Sequence, residues 1–351
     1  MTKRDRELLN ETLCTPPREA LGSRRILGGI VPGFKIVIAS SVPAKRGLGS
    51  SSALVVATYT FLEALTGQPT LNIFEKALSC NLVEKLALQL PSLRLADILC
   101  SVFGDQRQIL HFHAKILHLE AFPWRDNGVS LLVILPDSSD HDLGYFERAA
   151  RCRKNTIILN TANRWNTRPI DFHKIDVLFP IELVNGARYI SEEDVRVRRT
   201  LLAIQSESWT QLGAISTFDP LWRTCSVKDA AETFPCLNLP LPPETFQIGQ
   251  ILWESYYSIL KYLDPVSIEI DYIVEALKGT NGVLGVNVIG RGYGGSVLAL
   301  IKSEEREKIS DALKDVKNMW KQCYILRPMK GASVLRNYHG IVALIIKVMQ
   351  E

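Results

Sequence analysis

Apolar residues recur at helical spacing from Ser51 onward, at Leu54, Ala57, Phe61, Leu62 and Leu65, and Gly67 supplies a stop. A helix is therefore predicted there, preceded by a Gly/Ser loop and a short strand over residues 35–40. Further helices are predicted over residues 71–90, broken before Pro91, and 95–103, ended by Gly104. Residues 108–119 alternate around His111, His113 and His118 as a strand, and Val129 to Leu135 is a nearly continuous apolar run of the buried-strand kind. A helix near Leu143 carries Tyr145 and Arg148. Helical spacing returns over 192–212, 247–263 and 270–277, and strands are predicted at 283–289 and 296–301. Between the first two of those helices lies a long segment, 216–243, with five prolines (Pro220, Pro235, Pro240, Pro242, Pro243), which reads as an insertion.

A chain of 351 residues has room for one large domain or two smaller ones. The formal net charge of +4 is spread without a block of like charges, so nothing calls for nucleic acid. The seven cysteines are odd in number and contain no C-x-x-C pair, which fits reduced thiols in the cytoplasm. No apolar segment follows the charged start Met1 to Glu7, so no secretory signal is expected. The C-terminal run from Gly340 to Ile346 falls well short of the roughly 20 apolar residues that span a bilayer, and reads as a core segment.

The candidate chemistry sits in the loop Pro43-Ala-Lys-Arg-Gly47-Leu48-Gly49-Ser50-Ser51-Ser52. The first amides of a helix have no intrahelical partner, the helix dipole adds positive charge, and glycine and serine leave the backbone open to an anion. The serine hydroxyls can also donate to phosphate or ligate magnesium. An ordinary serine-rich N-cap is the bland alternative. The loop is not a Walker sequence, because the G-K-[ST] ending is missing.

Taken whole, the string resembles the second motif of the GHMP kinases, and its surroundings, Pro32-Gly33-Phe34 and Val56 to Glu63, resemble the galactokinase branch. The segment Cys80-Asn-Leu-Val-Glu84 is similar to that family's stretch bearing a magnesium-linked glutamate. Asp97 falls where the family has its catalytic aspartate. Tyr145 and Arg148 resemble the helix whose tyrosine faces the sugar, and Gly290-Arg-Gly292-Tyr-Gly294-Gly295 resembles the third motif. Glu254-Ser255 and Glu269-Ile-Asp271 match a further family stretch, and Tyr324 to Ala332 its closing strand. The resemblance implies an α+β, two-domain GHMP fold: an N-terminal domain over 1–160, truncated, and a C-terminal ferredoxin-like domain over 161–351, with the nucleotide between them. It implies ATP and Mg²⁺ as cofactors and a hexose as partner, in a monomer with no membrane or nucleic-acid contact. Pro43, Gly47, Leu48, Gly49, Ser50, Ser51 and Ser52 would hold the nucleotide, Ser51 and Glu84 the metal. Asp97 would be catalytic, and Tyr145, Gly292 and Gly294 would join it in the sugar site.

Other readings of these residues stand beside the resemblance. The glycines 290, 292 and 295 also satisfy G-x-G-x-x-G, but a dinucleotide loop must open a helix and Ser296 to Ile301 is strand-like. Glu84 alone reads equally as a solvated helix residue. The neighbours Leu95, Ile98 and Leu99 suggest partial burial for Asp97. His111 and His113 share a strand face, but no nearby carboxylate or cysteine completes a metal site, so a solvated face is expected. The arginine-bearing first motif of galactokinases, ending G-E-H-x-D-Y, has no counterpart in residues 1–30, so the chain is expected to start after it. Lys45, Arg46 and Arg291 replace glycines of the family pattern. The alternatives to a galactose-type kinase are therefore a non-catalytic nucleotide or sugar sensor, a gene fragment, or a kinase for an amino sugar or uronic acid.

Overall fold

Helix α1, Ser50–Thr66, begins where Gly49 adopts left-handed backbone and ends where Gly67 does the same, donating its amide to the Glu63 carbonyl. In a computed structural model the described residues are 34, 36–44, 46–88, 95–113, 117–124, 128–137, 172, 177–205, 248–263, 266–289, 295–336 and 342–344. The expected helices near Leu143 and the segments 206–247 and 290–294 lie outside them.

Chain contacts divide the molecule into two units, one made of residues 1–126 with 324–351, the other of 127–323. In the first, α1 packs with α2 (Ile73–Leu88) and α3 (Leu95–Phe103). Val55, Val56 and Tyr59 of α1 meet Ala77, Cys80 and Val83 of α2 and Ile98 and Leu99 of α3 in one buried cluster. Phe112 and Leu119 cover that cluster from a hairpin of β1 (Gln108–His113) and β2 (His118–Pro123). The sequence predicts one strand over 108–119. The chain instead turns at Leu117, whose φ is +51, and the single expected strand becomes two. At the far end of the unit's sequence, Gly331 and Ala332 donate to the carbonyls of Gly104 and Ser101 at the end of α3. Short strands β7 (Val334–Arg336) and β8 (Val342–Leu344) pair antiparallel beyond them.

One expected strand is missing. Residues 36–40 have no regular structure, and Val37 is exposed. No described strand pairs with them, and an isolated extended segment has nothing to hold its backbone hydrogen bonds.

β3 (Val129–Pro136), β4 (Val283–Ile289) and β5 (Ser296–Lys302) of the second unit, with β6 (Trp320–Leu326) at its end, form a sheet in the order β4-β5-β3-β6. β5 runs antiparallel to both β3 and β4. Helices α6 (Ile268–Leu277) and α7 (Arg306–Lys314) pack with each other, and α6 lies against the sheet. β3 is buried at nearly every position, as an apolar run bounded by turns requires. The hairpin from β4 into β5 pairs Ile289 with Ser296. A strand, not a helix, therefore follows the glycine cluster, and the dinucleotide reading fails on the context it needs.

Helix α5 (Ile248–Tyr262) lies along β4 and against α4 (Ile181–Gln205). Polar groups bridge the α4–α5 contact. Arg196, only 8% exposed, binds the carboxylates of Glu192 and Glu193. Glu193 accepts from Ser255, and Glu192 from Ser258 and Tyr262. Burial opposes ionisation of Glu192, but the Tyr262 and Ser258 hydroxyls and the Arg196 guanidinium outweigh it and hold the carboxyl below its ordinary range. The contact of α5 with β4 depends on small residues. A methyl group on Gly249 would stand 2.3 Å from the Leu284 carbonyl oxygen, and one on Gly285 2.1 Å from that of Gly249. Gly249→Ala should lower unfolding free energy by about 1–3 kcal/mol, as overpacking against a rigid backbone does, and urea melts of the two proteins check it.

Burial pushes the Cys80 thiol up to about 12, against the partial relief given by Lys76. As pH rises the unfolded chain loses this proton first, so the stabilisation is complete below the ordinary thiol value of 9.0 and is lost towards about 12. The urea midpoint of the wild type should fall more steeply over that window than that of Cys80→Ala. Parallel slopes would refute the linkage.

Candidate active site

The loop before α1 has the backbone an anion cradle needs. Gly47 and Gly49 have φ of +74 and +70, a region costly to any residue with a Cβ. Gly49 is the N-cap and has no side chain to bond the first turn, so the bland serine-cap reading does not hold: the serines follow the cap. The first helical bond runs from the Ala53 amide to the Gly49 carbonyl at 2.9 Å. The amides of Ser50, Ser51 and Ser52 precede it, and among the described residues none has a protein acceptor.

Behind that turn sits Glu84, only 1% exposed on α2. Burial excludes the solvated-helix reading. The Ser51 hydroxyl donates to Glu84 Oε1 at 2.5 Å, and the Ser52 hydroxyl reaches Oε1 at 3.0 Å and Oε2 at 2.9 Å. The Ser51–Glu84 pair expected from sequence is thus brought together across 33 residues of chain. The part played by Ser52 was not legible: three consecutive serines carry no sign of which hydroxyl turns inward. A buried carboxylate with two hydroxyls at an uncapped helix start is an all-oxygen donor set of the kind that suits a hard cation such as Mg²⁺.

Asp97 stands beside Gly49. A Cβ on Gly49 would lie 3.3 Å from the Asp97 Cβ and 3.7 Å from its Oδ2. The expectation of partial burial is wrong, because Asp97 is exposed. On α3, Ile98 and Leu99 turn into the core with Leu95 and Val102, and a helix advances about 100° per residue, which carries Ala96 and Asp97 to the outer face. Pro43, Leu48 and Ser50 lie with the loop as expected. Tyr145, Gly292 and Gly294, with Arg148, Lys45 and Arg291, fall outside the described residues.

The histidine face is corrected too. β2 supplies the carboxylate that a strand considered alone did not reveal: His111 Nδ1 is 3.3 Å from Glu120 Oε2, and His118 Nε2 is 3.4 Å from Oε1. The hairpin register sets His111 directly opposite Glu120. Even so, among the described residues no group of three His, Cys, Asp or Glu side chains is arranged to hold a metal. A groove of about 520 Å³ bordered by Phe74, Phe103 and Leu117 contains none of the loop residues, Glu84 or Asp97.

Two family models match the chain: GHMP kinases N terminal domain over residues 18–105 and GHMP kinases C terminal over 247–318. Two separate stretches of the chain are thus similar to GHMP kinases. These matches, with the relatives that follow, support a phosphotransferase of the kinase class. Among its relatives, galactokinase of Bos taurus is 23% identical over 308 residues, covering 87% of this chain and 69% of the relative. Galactokinase of Thermotoga neapolitana is 25% identical over 284 residues, covering 80% and 69%. In three dimensions the chain is similar to Lactococcus lactis galactokinase complexed with galactose, with a TM-score of 0.64, 17% identity, and coverage of 92% of this chain and 78% of that one. At that identity the likeness concerns the fold.

Gly49 and Gly67 offer a matched test of the loop. Both are left-handed, but only Gly49 has a neighbour, Asp97, within reach of a new methyl group. Each glycine-to-alanine change should cost about 1–2 kcal/mol in a thermal melt. Gly49→Ala alone should weaken binding of a fluorescent ATP analogue, and equal affinities in the two variants would count against the loop.

Proposed function

We propose that the protein is an ATP-dependent sugar kinase of galactokinase type, moving the γ-phosphoryl group to the anomeric hydroxyl of galactose or a related hexose. The observation that carries this reading is the approach of a solvent-accessible carboxylate, Asp97, to an uncapped helix start framed by two left-handed glycines. Phosphoryl transfer needs little covalent work from a protein and much positioning of charge. Backbone amides from Gly47 to Ser52, with Pro43 and Leu48 shaping the loop, suit the phosphates. Asp97 would orient the sugar hydroxyl and take its proton as the oxygen bonds to the γ-phosphorus and the bond to the β-phosphate oxygen breaks. Ser51 and Glu84 would hold Mg²⁺, which when bound neutralises charge on the phosphates. Tyr145, Gly292 and Gly294 complete the sugar side of the proposal. A cytoplasmic monomer belongs to the same reading; no helix among the described residues is long and apolar enough to cross a membrane.

Purified protein with ATP, Mg²⁺ and a panel of free hexoses, amino sugars and uronic acids should release ADP fastest with galactose or a close relative. Asp97→Ala should reduce that release by at least about a hundredfold, the low end of what positioned acid–base groups contribute. Release that ignores the sugar or survives Asp97→Ala would sink the kinase reading. Binding without release would instead favour a nucleotide or sugar sensor.

A further inference from the structure

The buried face of α1 begins at Ser52 and continues through Val55, Val56, Tyr59 and Leu62. Ser52 therefore occupies a core position, 2% exposed, where helical spacing calls for an apolar side chain. Opposite it, Glu84 sits among the buried residues Ala77, Cys80 and Val83 of α2. A serine and a glutamate stand where burial would favour apolar side chains, and a buried polar pair of this kind often adds little stability by itself.

We infer that Ser52 is the positioning residue for Glu84, fixing its carboxylate for the divalent cation that accompanies the nucleotide; this rests on the phosphoryl-transfer reading of the site. The hydroxyl of Ser52 lies 3.0 and 2.9 Å from the two carboxylate oxygens, so turning the carboxylate about its Cγ–Cδ bond lengthens one contact or the other. Ser51 meets Oε1 alone, at 2.5 Å, and lies on the less buried side of the turn. The division of labour follows from helix geometry: successive residues stand about 100° apart, so of two adjacent serines one can face the phosphates while the other faces the core. A hydroxyl that bonds both oxygens of a ligand carboxylate orients it as outer-shell partners orient metal ligands elsewhere, and losing such partners costs about 10–100-fold in metal affinity. The side chain of Ser52 is thereby assigned to the carboxylate, leaving only its amide for phosphate.

The test reads Mn²⁺ binding by electron paramagnetic resonance in the presence of a non-hydrolysable ATP analogue, with no sugar and no turnover. Ser52→Ala and Ser52→Val should each weaken Mn²⁺ binding about tenfold or more. Ser52→Thr, which restores the hydroxyl on the volume of valine, should recover it. Affinity for the metal-free analogue should stay unchanged, and in a Glu84→Gln background Ser52→Ala should add nothing. Thermal melts run in parallel identify a variant that has not folded, for which the Val and Thr pair decides. Unchanged Mn²⁺ affinity in both hydroxyl-free variants overturns the assignment. So do an equal loss in the Glu84→Gln background, a matching loss of metal-free nucleotide, and a wild type that binds Mn²⁺ no better than Glu84→Gln. A wild type that binds the metal–nucleotide pair as expected yet phosphorylates no sugar sinks the kinase reading and leaves Ser52 in its role.

Discussion

The buried carboxylate of Glu84 is the constraint on which the loop depends. Left without partners in the core it would cost several kcal/mol, so its oxygens must be met by donors, and the serines at the start of α1 meet them. That requirement fixes the rotation of α1 about its own axis, since Ser52 must face α2, and with it the direction in which the amides of the first turn point. The apolar contacts of Val55, Val56 and Tyr59 with Ala77 and Cys80 supply the bulk attraction. Non-directional contacts of that kind tolerate small rotations, whereas a hydroxyl shared between two oxygens does not. At the other end of α1, Glu63 plays a comparable part: its carboxylate accepts from the Thr70 amide and pairs with Lys76 at 2.6 Å, tying the turn after the helix to α2.

The second unit solves its packing differently. Gly249 and Gly285 let a helix and a strand approach backbone to backbone, and an Arg196-centred network of hydrogen bonds ties α5 to α4. Each carboxylate in that network has at least two donors, which is what keeps a half-buried set of charges from becoming a liability. Asn287 of β4 adds a bond to Ser255, so the same hydroxyl that touches Glu193 also joins the helix to the sheet.

For the proposed chemistry the combination matters more than any one group. Left-handed glycines open the backbone, an uncapped turn offers amides, a buried carboxylate lies behind it, and an exposed carboxylate lies in front. Each alone is common. Together they separate a carboxylate suited to holding a cation from one suited to meeting an incoming hydroxyl, and burial is the physical property that makes the distinction. The relatives named above are galactokinases, but the likeness at 23–25% identity leaves the sugar to be read from the site itself.

The sequence by itself determined the local elements whose signals are local: α1 between Gly49 and Gly67, α3 ended by Gly104, the apolar β3, and the β4–β5 hairpin that rules out a dinucleotide loop. It also carried the loop string, because glycine is demanded by left-handed backbone at Gly47 and Gly49, which the residue type expresses alone. Burial and partnership across the chain were beyond its reach. Asp97 looked half-buried from its neighbours and is exposed, since one helical step of 100° separates it from Ile98. Glu84 looked as much solvated as functional and is wholly buried. The single strand expected over the histidines folds back on itself, and only the register of the resulting hairpin sets Glu120 against His111. Which of three identical serines turns inward was decided by the tertiary structure alone, because the carboxylate that selects Ser52 comes from another helix, 32 residues further along the chain.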